Sequence, residues 1–161
     1  MITTLTAFIA MTSNARELVT QSFSDTHVVA HRGGAAHHPV NTVAAFACSA
    51  GHKLSMAECD VWMSSDAVPM IMHDQTLDRT TSLKGDLANY TSQQLKEAGV
   101  PSLAEVLEVT KGKTVLVIEL KGGKGVVAAS VDVVKKAGQA EHVIFFSFDR
   151  NLVAEVEKVL L

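Results

Sequence analysis

With 161 residues, a formal charge of −3 and 47% apolar residues, the chain can bury one core and form one domain or slightly more. Charged residues reach only 19% and form no basic stripe, which excludes a nucleic-acid footprint. No run approaches the ~18 apolar residues that span a bilayer. The two cysteines, Cys48 and Cys59, make no CxxC pattern, so two buried thiols are expected rather than a disulfide framework.

Residues 1–24 read as a separate N-terminal segment that covers the base of the fold. The opening MITTLTAFIA is apolar but lacks Lys and Arg, so a secretory signal is not expected and the cytoplasm is favoured over the periplasm. Arg16 to Phe23 reads as a short amphipathic helix. Residues 25–161 then alternate between strand and helix patterns. Val28–Ala30 is an apolar strand that stops at His31-Arg32. Asn41 is the expected N-cap of a helix over Thr42–Ala50, closed by Gly51. Leu54–Met63 and Val68–His73 are successive strands, with Pro69 near the start of the second. The polar stretch LDRTTSLKGDLANYT is a loop, and Ser92–Ala98 is a short helix. Ser102 and Glu105 form a capping box for the helix LAEVLEVTKG. Val115–Leu120 is a β-branched strand, Val126–Ala137 a helix, Val143–Phe148 a strand and Asn151–Leu161 a closing helix. Such apolar strands alternating with helices point to a parallel α/β sheet buried on both faces.

Polar residues interrupt those strands. Glu58 and Asp60 are two apart, so in a strand both carboxylates leave one face. Glu119 and Lys121 repeat the spacing. His31-Arg32 and His73-Asp74 close two further strands. In a parallel sheet all of these gather at the C-terminal edge, where such folds do their chemistry. Taken singly, Glu-x-Asp can be a surface pair of an edge strand, Lys121 a solvated lysine and Asp74 a turn cap. His37, His38, His52 and His142 read as structural. Taken together, three clustered carboxylates require a compensating cation. Glu58, Asp60 and Glu119 offer only oxygen, which suits Mg²⁺ or Ca²⁺ rather than zinc. Arg32 and Lys121 beside that metal suit a phosphate, and His31 and His73 supply an acid and a base near neutral pH. A phosphodiester hydrolase follows from these parts.

The motifs AHRGG, PVNTVAAFACSAG, ECDVWMSSDAVPMIMHDQTLDRTT, PSLAEVLE, VIELK and FFSFD, in this order from Val28 to Asp149, closely resemble the glycerophosphodiester phosphodiesterase family. The resemblance implies a TIM barrel, a (β/α)8 fold with its site at the C-terminal strand ends. It implies His31 and His73 as the catalytic acid/base pair, in either order, and Glu58, Asp60 and Glu119 as metal ligands. Arg32 and Lys121 would contact the substrate phosphate. The substrates implied are small glycerophosphodiesters such as glycerophosphocholine, with sn-glycerol 3-phosphate and an alcohol as products.

The chain departs from the family in places. Val40 stands where the family reads Glu, which removes a carboxylate near the site, and Ala67 replaces a common turn Gly. A TIM barrel takes roughly 200–250 residues, so about five βα units are expected here and the barrel is incomplete. Its first and fifth strands would then expose open edges. The chain would be a fragment (ranked first), a homo-oligomer whose copies complete each other's barrels, or an open remnant covered by its own N-terminal segment. Two other readings stand beside the phosphodiesterase. One is a weak or inactive remnant that only binds metal or phosphodiester. The other is a lipid phosphodiesterase of the sphingomyelinase D type. A glycosidase is more distant, because paired carboxylates alone do not account for the two histidines.

Overall fold

The computed structural model describes residues 8–12, 16–17 and 28–160. Strand β1 is Phe8–Ala10 and β2 is Val29–Ala30; a single 3₁₀ turn, His31–Gly33, follows. Helix α1 is Val43–Gly51, β3 is Met56–Met63 and β4 is Pro69–Ile71. Helices α2 (Ser92–Glu97) and α3 (Leu103–Thr110) precede β5 (Val115–Gly122). Helix α4 (Val126–Lys136), β6 (Val143–Ser147) and α5 (Arg150–Leu160) complete the order.

The sheet runs β1-β6-β5-β3-β2. Strands β2, β3, β5 and β6 are parallel, with helices between them, and form the arc of an incomplete (β/α)8 barrel. The expected strand Val68–His73 is shorter and runs the other way: β4 pairs antiparallel with β3, Val61 opposite Ile71. The connection from Ser64 to Val68 is too short for anything else, since a parallel return needs a crossover of a dozen or more residues. The arc therefore holds four parallel strands.

The pleat divides the arc into two faces. Ala57, Cys59, Val61, Leu116, Ile118, Leu120, Val143 and Phe145 face outward and pack beneath α3, α4 and α5 in the main core. Met56, Val115, Val117 and Ile144 lie on the inner face, where Met11 joins them. Glu58, Asp60 and Glu119 continue this inner face toward the C-terminal ends of the strands. A second core of Met70, Met72, Leu77, Leu87, Leu95 and Val100 sits under the 69–100 excursion. The stretch read as a polar loop thus has an interior of its own.

The expected open edges differ. β1 pairs antiparallel along β6, Phe8 opposite Ser147, so that edge is covered by the N-terminal segment itself. Among the described residues of the segment, Phe8–Ala10 lie along the edge and Met11 reaches the lower inner cluster. β2 ends the order on the other side, and Val28 and Val29 are 57% and 46% exposed rather than buried. Of the expected helix Arg16–Phe23, only Arg16 and Glu17 lie within the described residues, and both are helical. Cys59 is buried, but Cys48 on α1 is only half-buried; both are free thiols. His37, His52 and His142 are exposed and His38 is half-buried, so they are surface rather than core histidines.

Side-chain caps fix the helix starts. Ser102 and Glu105 form the expected capping box of α3, and Thr91 with Gln94 forms another on α2. On α1 the cap is Thr42, whose side chain accepts from the Ala45 N–H, and not Asn41. Asn41 instead takes a left-handed φ of 58°, which Asn tolerates better than most residues.

Gly33 fixes how the 31–41 loop meets α1. Its φ is +79°, and a Cβ there would sit 3.0 Å from the Ala45 Cβ and 3.1 Å from the Phe46 nitrogen. Gly33→Ala should lower unfolding free energy by about 1–3 kcal/mol in urea titrations. Gly51→Ala, with nothing among the described residues within 4 Å of its Cβ position, should cost nothing. Equal stability of the two variants would contradict this packing.

Candidate active site

β2 pairs with β3 only through Val29 and Ala30, opposite Met56 and Ala57. The chain after Ala30 therefore emerges level with Glu58. There the His31 Nε2 lies 3.8 Å from Glu58 Oε2, and the Arg32 backbone N–H donates to the same oxygen at 2.9 Å. Arg32 adopts φ 54°, a strained conformation for a residue with a Cβ. Two bonds hold it: the donation to Glu58 and its own carbonyl, which accepts from the Asn41 N–H at 2.8 Å. The Arg32–Asn41 clip closes the glycine-containing loop. It also brings the Asn41 side chain to Asp60, where Nδ2 donates to Oδ2 at 3.1 Å.

Asp60 and Glu119 are register partners on β3 and β5, so their side chains leave the same face. Just beyond, the register slips: Val61 pairs with Leu120 but Trp62 pairs with Gly122. Lys121 is the extra residue of this bulge, a device that re-aims a side chain. Its Nζ reaches Glu119 Oε1 at 2.8 Å and Asp60 Oδ1 at 3.2 Å. Lys121 is thus no solvated lysine, and the buried Glu58 and Asp60 are no surface pair. One oxygen each from Glu58, Asp60 and Glu119 lies within 4.8 Å of the others.

The charges do not balance. Three carboxylates face Lys121 and Arg32, whose Nε stands 3.8 Å from Asp60 Oδ2 and has no hydrogen-bond partner among the described residues. Burial, and then the Asp60 charge, push the Glu58 carboxyl up to about 7. Burial likewise raises Glu119, against the opposing pull of Lys121. Burial works against the Lys121 ammonium, but Glu119 and Asp60 hold it above its ordinary range. An all-oxygen, net-negative, buried cluster of this kind fits a hard divalent cation.

His73 reaches the site by the antiparallel return. Met72 N–H donates to the Asp60 carbonyl at 3.0 Å, and Trp62 Nε1 donates to the His73 carbonyl at 3.2 Å. The His73 Nδ1 is 2.6 Å from Asp74 Oδ1, and Arg79 Nε is 2.6 Å from Asp74 Oδ2. Asp74 is therefore a partner of His73 and Arg79, not a turn cap. His73, Arg79, Val40 and Asn41 line one cleft of about 190 Å³. Of the seven expected site residues, His31, Arg32, Glu58, Asp60, Glu119 and Lys121 are linked by these contacts, while His73 approaches them through the Met72–Asp60 backbone hydrogen bond and the cleft it shares with Asn41. Asn41 and Arg79 were not among the seven. Asn41 was hidden by its likeness to a helix cap, and Arg79 by its place in a polar loop.

The family model for glycerophosphoryl diester phosphodiesterases matches residues 31–158. The glycerophosphodiester phosphodiesterase of Caldanaerobacter subterraneus subsp. tengcongensis is 32% identical over 152 residues, covering 83% of this chain and 63% of that protein. Among solved structures, the glycerophosphodiester phosphodiesterase of Agrobacterium tumefaciens has 30% identity and a TM-score of 0.76, over 84% of this chain and 63% of that one. A phosphodiesterase of Oleispira antarctica, solved with its product sn-glycerol-3-phosphate, has 30% identity and a TM-score of 0.71, over 87% of this chain and 64% of that one. The chain spans less than two thirds of the length of each of these proteins. The match covers β3, β5, β6 and every residue of the carboxylate cluster, and on it the chain belongs to the glycerophosphoryl diester phosphodiesterase family.

Proposed function

We infer that this chain carries the site of a metal-dependent phosphodiesterase that hydrolyses glycerophosphodiesters to sn-glycerol 3-phosphate and an alcohol. The observation that carries this reading is the buried trio Glu58, Asp60 and Glu119, with Arg32 and Lys121 against it and His31 at its rim. The trio would hold Mg²⁺ or Ca²⁺, which supplies positive charge at the phosphoryl oxygens when bound. Arg32 and Lys121 would bind the phosphate and stabilise charge that grows on it in the transition state. The His31 side chain is 71% exposed beside Glu58, open to a reacting oxygen. His73 lines the cleft that it shares with Asn41. One imidazole takes the proton of the attacking hydroxyl or water, and the other gives a proton to the departing alkoxide.

Glycerophosphocholine with Mg²⁺ or Ca²⁺ should release sn-glycerol 3-phosphate, and EDTA should abolish the release. A second reading, binding without turnover, is favoured by Val40, which gives the cleft that His73 also lines an apolar wall. Thermal stabilisation by metal with no product would select it.

The raised Glu58 carboxyl gives a pH test. Between the ordinary value of 4.5 and about 7, the folded chain binds this proton more tightly than the unfolded chain. Metal-free stability from Glu58 is therefore present at low pH and lost as pH rises through about 7. Saturating Mg²⁺ or Ca²⁺ should raise the melting temperature more at pH 8 than at pH 5.5, and Glu58→Gln should remove the difference. An equal metal response at both pH values in the wild-type chain would contradict it.

A further inference from the structure

We propose that Asp74 and Arg79 are positioning residues that fix the proton of His73 on Nδ1 and leave Nε2 to exchange protons with substrate. This rests on the reading of His73 as an acid/base group of the phosphodiesterase reaction. The geometry is a chain of two short contacts: His73 Nδ1 to Asp74 Oδ1 at 2.6 Å, and Asp74 Oδ2 to Arg79 Nε at 2.6 Å. A carboxylate only accepts hydrogen bonds, so a neutral His73 facing it must carry its proton on Nδ1. The Arg79 hydrogen bond, then that from His73, hold the Asp74 carboxyl far below its usual range, so it stays ionised across the working pH. Arg79 engages Oδ2 and thereby turns Oδ1 toward the ring.

One further contact keeps the imidazole in place. Trp62 Nε1 donates to the His73 carbonyl, which ties the backbone of this residue to β3. His73 and Arg79 also line the same cleft, so the relay borders the space where an alcohol arm of the substrate would lie. The proton balance is simple. Nε2 takes a proton from a hydroxyl while Nδ1–H remains on Asp74, or the imidazolium gives the Nε2 proton to an alkoxide and returns to the Nδ1–H form. A ring with its proton on Nε2 could not act as the base toward the cleft.

The test reads the ring nitrogens directly. In chain labelled with ¹⁵N at histidine, with Mg²⁺ present, the neutral His73 ring should show predominantly the Nδ1–H tautomer. Asp74→Ala should shift it toward Nε2–H, the form that an unconstrained histidine side chain favours. Arg79→Ala should shift it less, and Arg79→Lys less still. In turnover of glycerophosphocholine, Asp74→Ala should lower kcat ~10²–10⁴-fold with little change in KM, and Asp74→Glu should restore part of it. Predominant Nε2–H in the wild-type chain overturns the proposal. So does a tautomer unmoved by Asp74→Ala and Arg79→Ala alike. Should Asp74→Ala fail to fold, Arg79→Ala decides, since that side chain is 54% exposed. Absence of turnover in the wild-type chain sinks the phosphodiesterase reading, whereas the tautomer measurement still decides the positioning.

Discussion

Asp60→Asn should abolish the response to divalent cations and cut turnover at least ~10³-fold, without costing the metal-free chain stability. The loss follows from charge. Removing one of three oxygen ligands forfeits several kcal/mol of cation binding and of the transition-state stabilisation it brings, at about 1.36 kcal/mol per tenfold in rate. Stability behaves differently because the metal-free cluster is overcharged. Asp60 is, after burial, the largest cause of the raised Glu58 carboxyl. An asparagine of the same shape relieves that repulsion and, with its oxygen toward Asn41 Nδ2, keeps that hydrogen bond, while Lys121 gives up its Asp60 contact and stays on Glu119 at 2.8 Å. Calorimetry with EDTA should show an unchanged or higher melting temperature. A marked fall, with the cation response intact, would make Asp60 a structural ion-pair partner and not a ligand.

His31→Ala and His73→Ala should each lower kcat by ~10²–10⁴-fold. The two should differ in stability. The His31 side chain is 71% exposed and only borders Glu58, so its loss should leave the melting temperature alone. His73→Ala removes one of two hydrogen bonds to a half-buried Asp74, so a loss of about 1 kcal/mol is expected. Wild-type turnover in both variants would refute the two-histidine assignment.

The carboxylate cluster was legible because strand geometry is periodic. Glu58 with Asp60, and Glu119 with Lys121, could share a face only at that spacing, and the in-register pairing of Asp60 with Glu119 brings the two strands' acids together. The reversal of β4 was also legible, in the short connection from Ser64 to Val68, but strand propensity alone says nothing of direction. Asn41 was not. Asn and Thr are both good caps, and the choice fell to Thr42 because a left-handed backbone at Asn41 aims its amide at Asp60. Nor was β1, because pairing a three-residue segment with β6 across most of the chain leaves no local signal. Arg79 shows the same limit, since its role comes from a contact with Asp74 inside an excursion whose core takes Leu77 and Leu87 from the stretch read as loop.

The most direct test is anomalous diffraction from crystals of the chain grown or soaked with Mn²⁺ in place of Mg²⁺. One strong peak should appear within bonding distance of Glu58, Asp60 and Glu119 together, and should vanish in Asp60→Asn. Crystals saturated with the ion that show no peak among these three carboxylates, or an equal peak in the variant, would contradict the account.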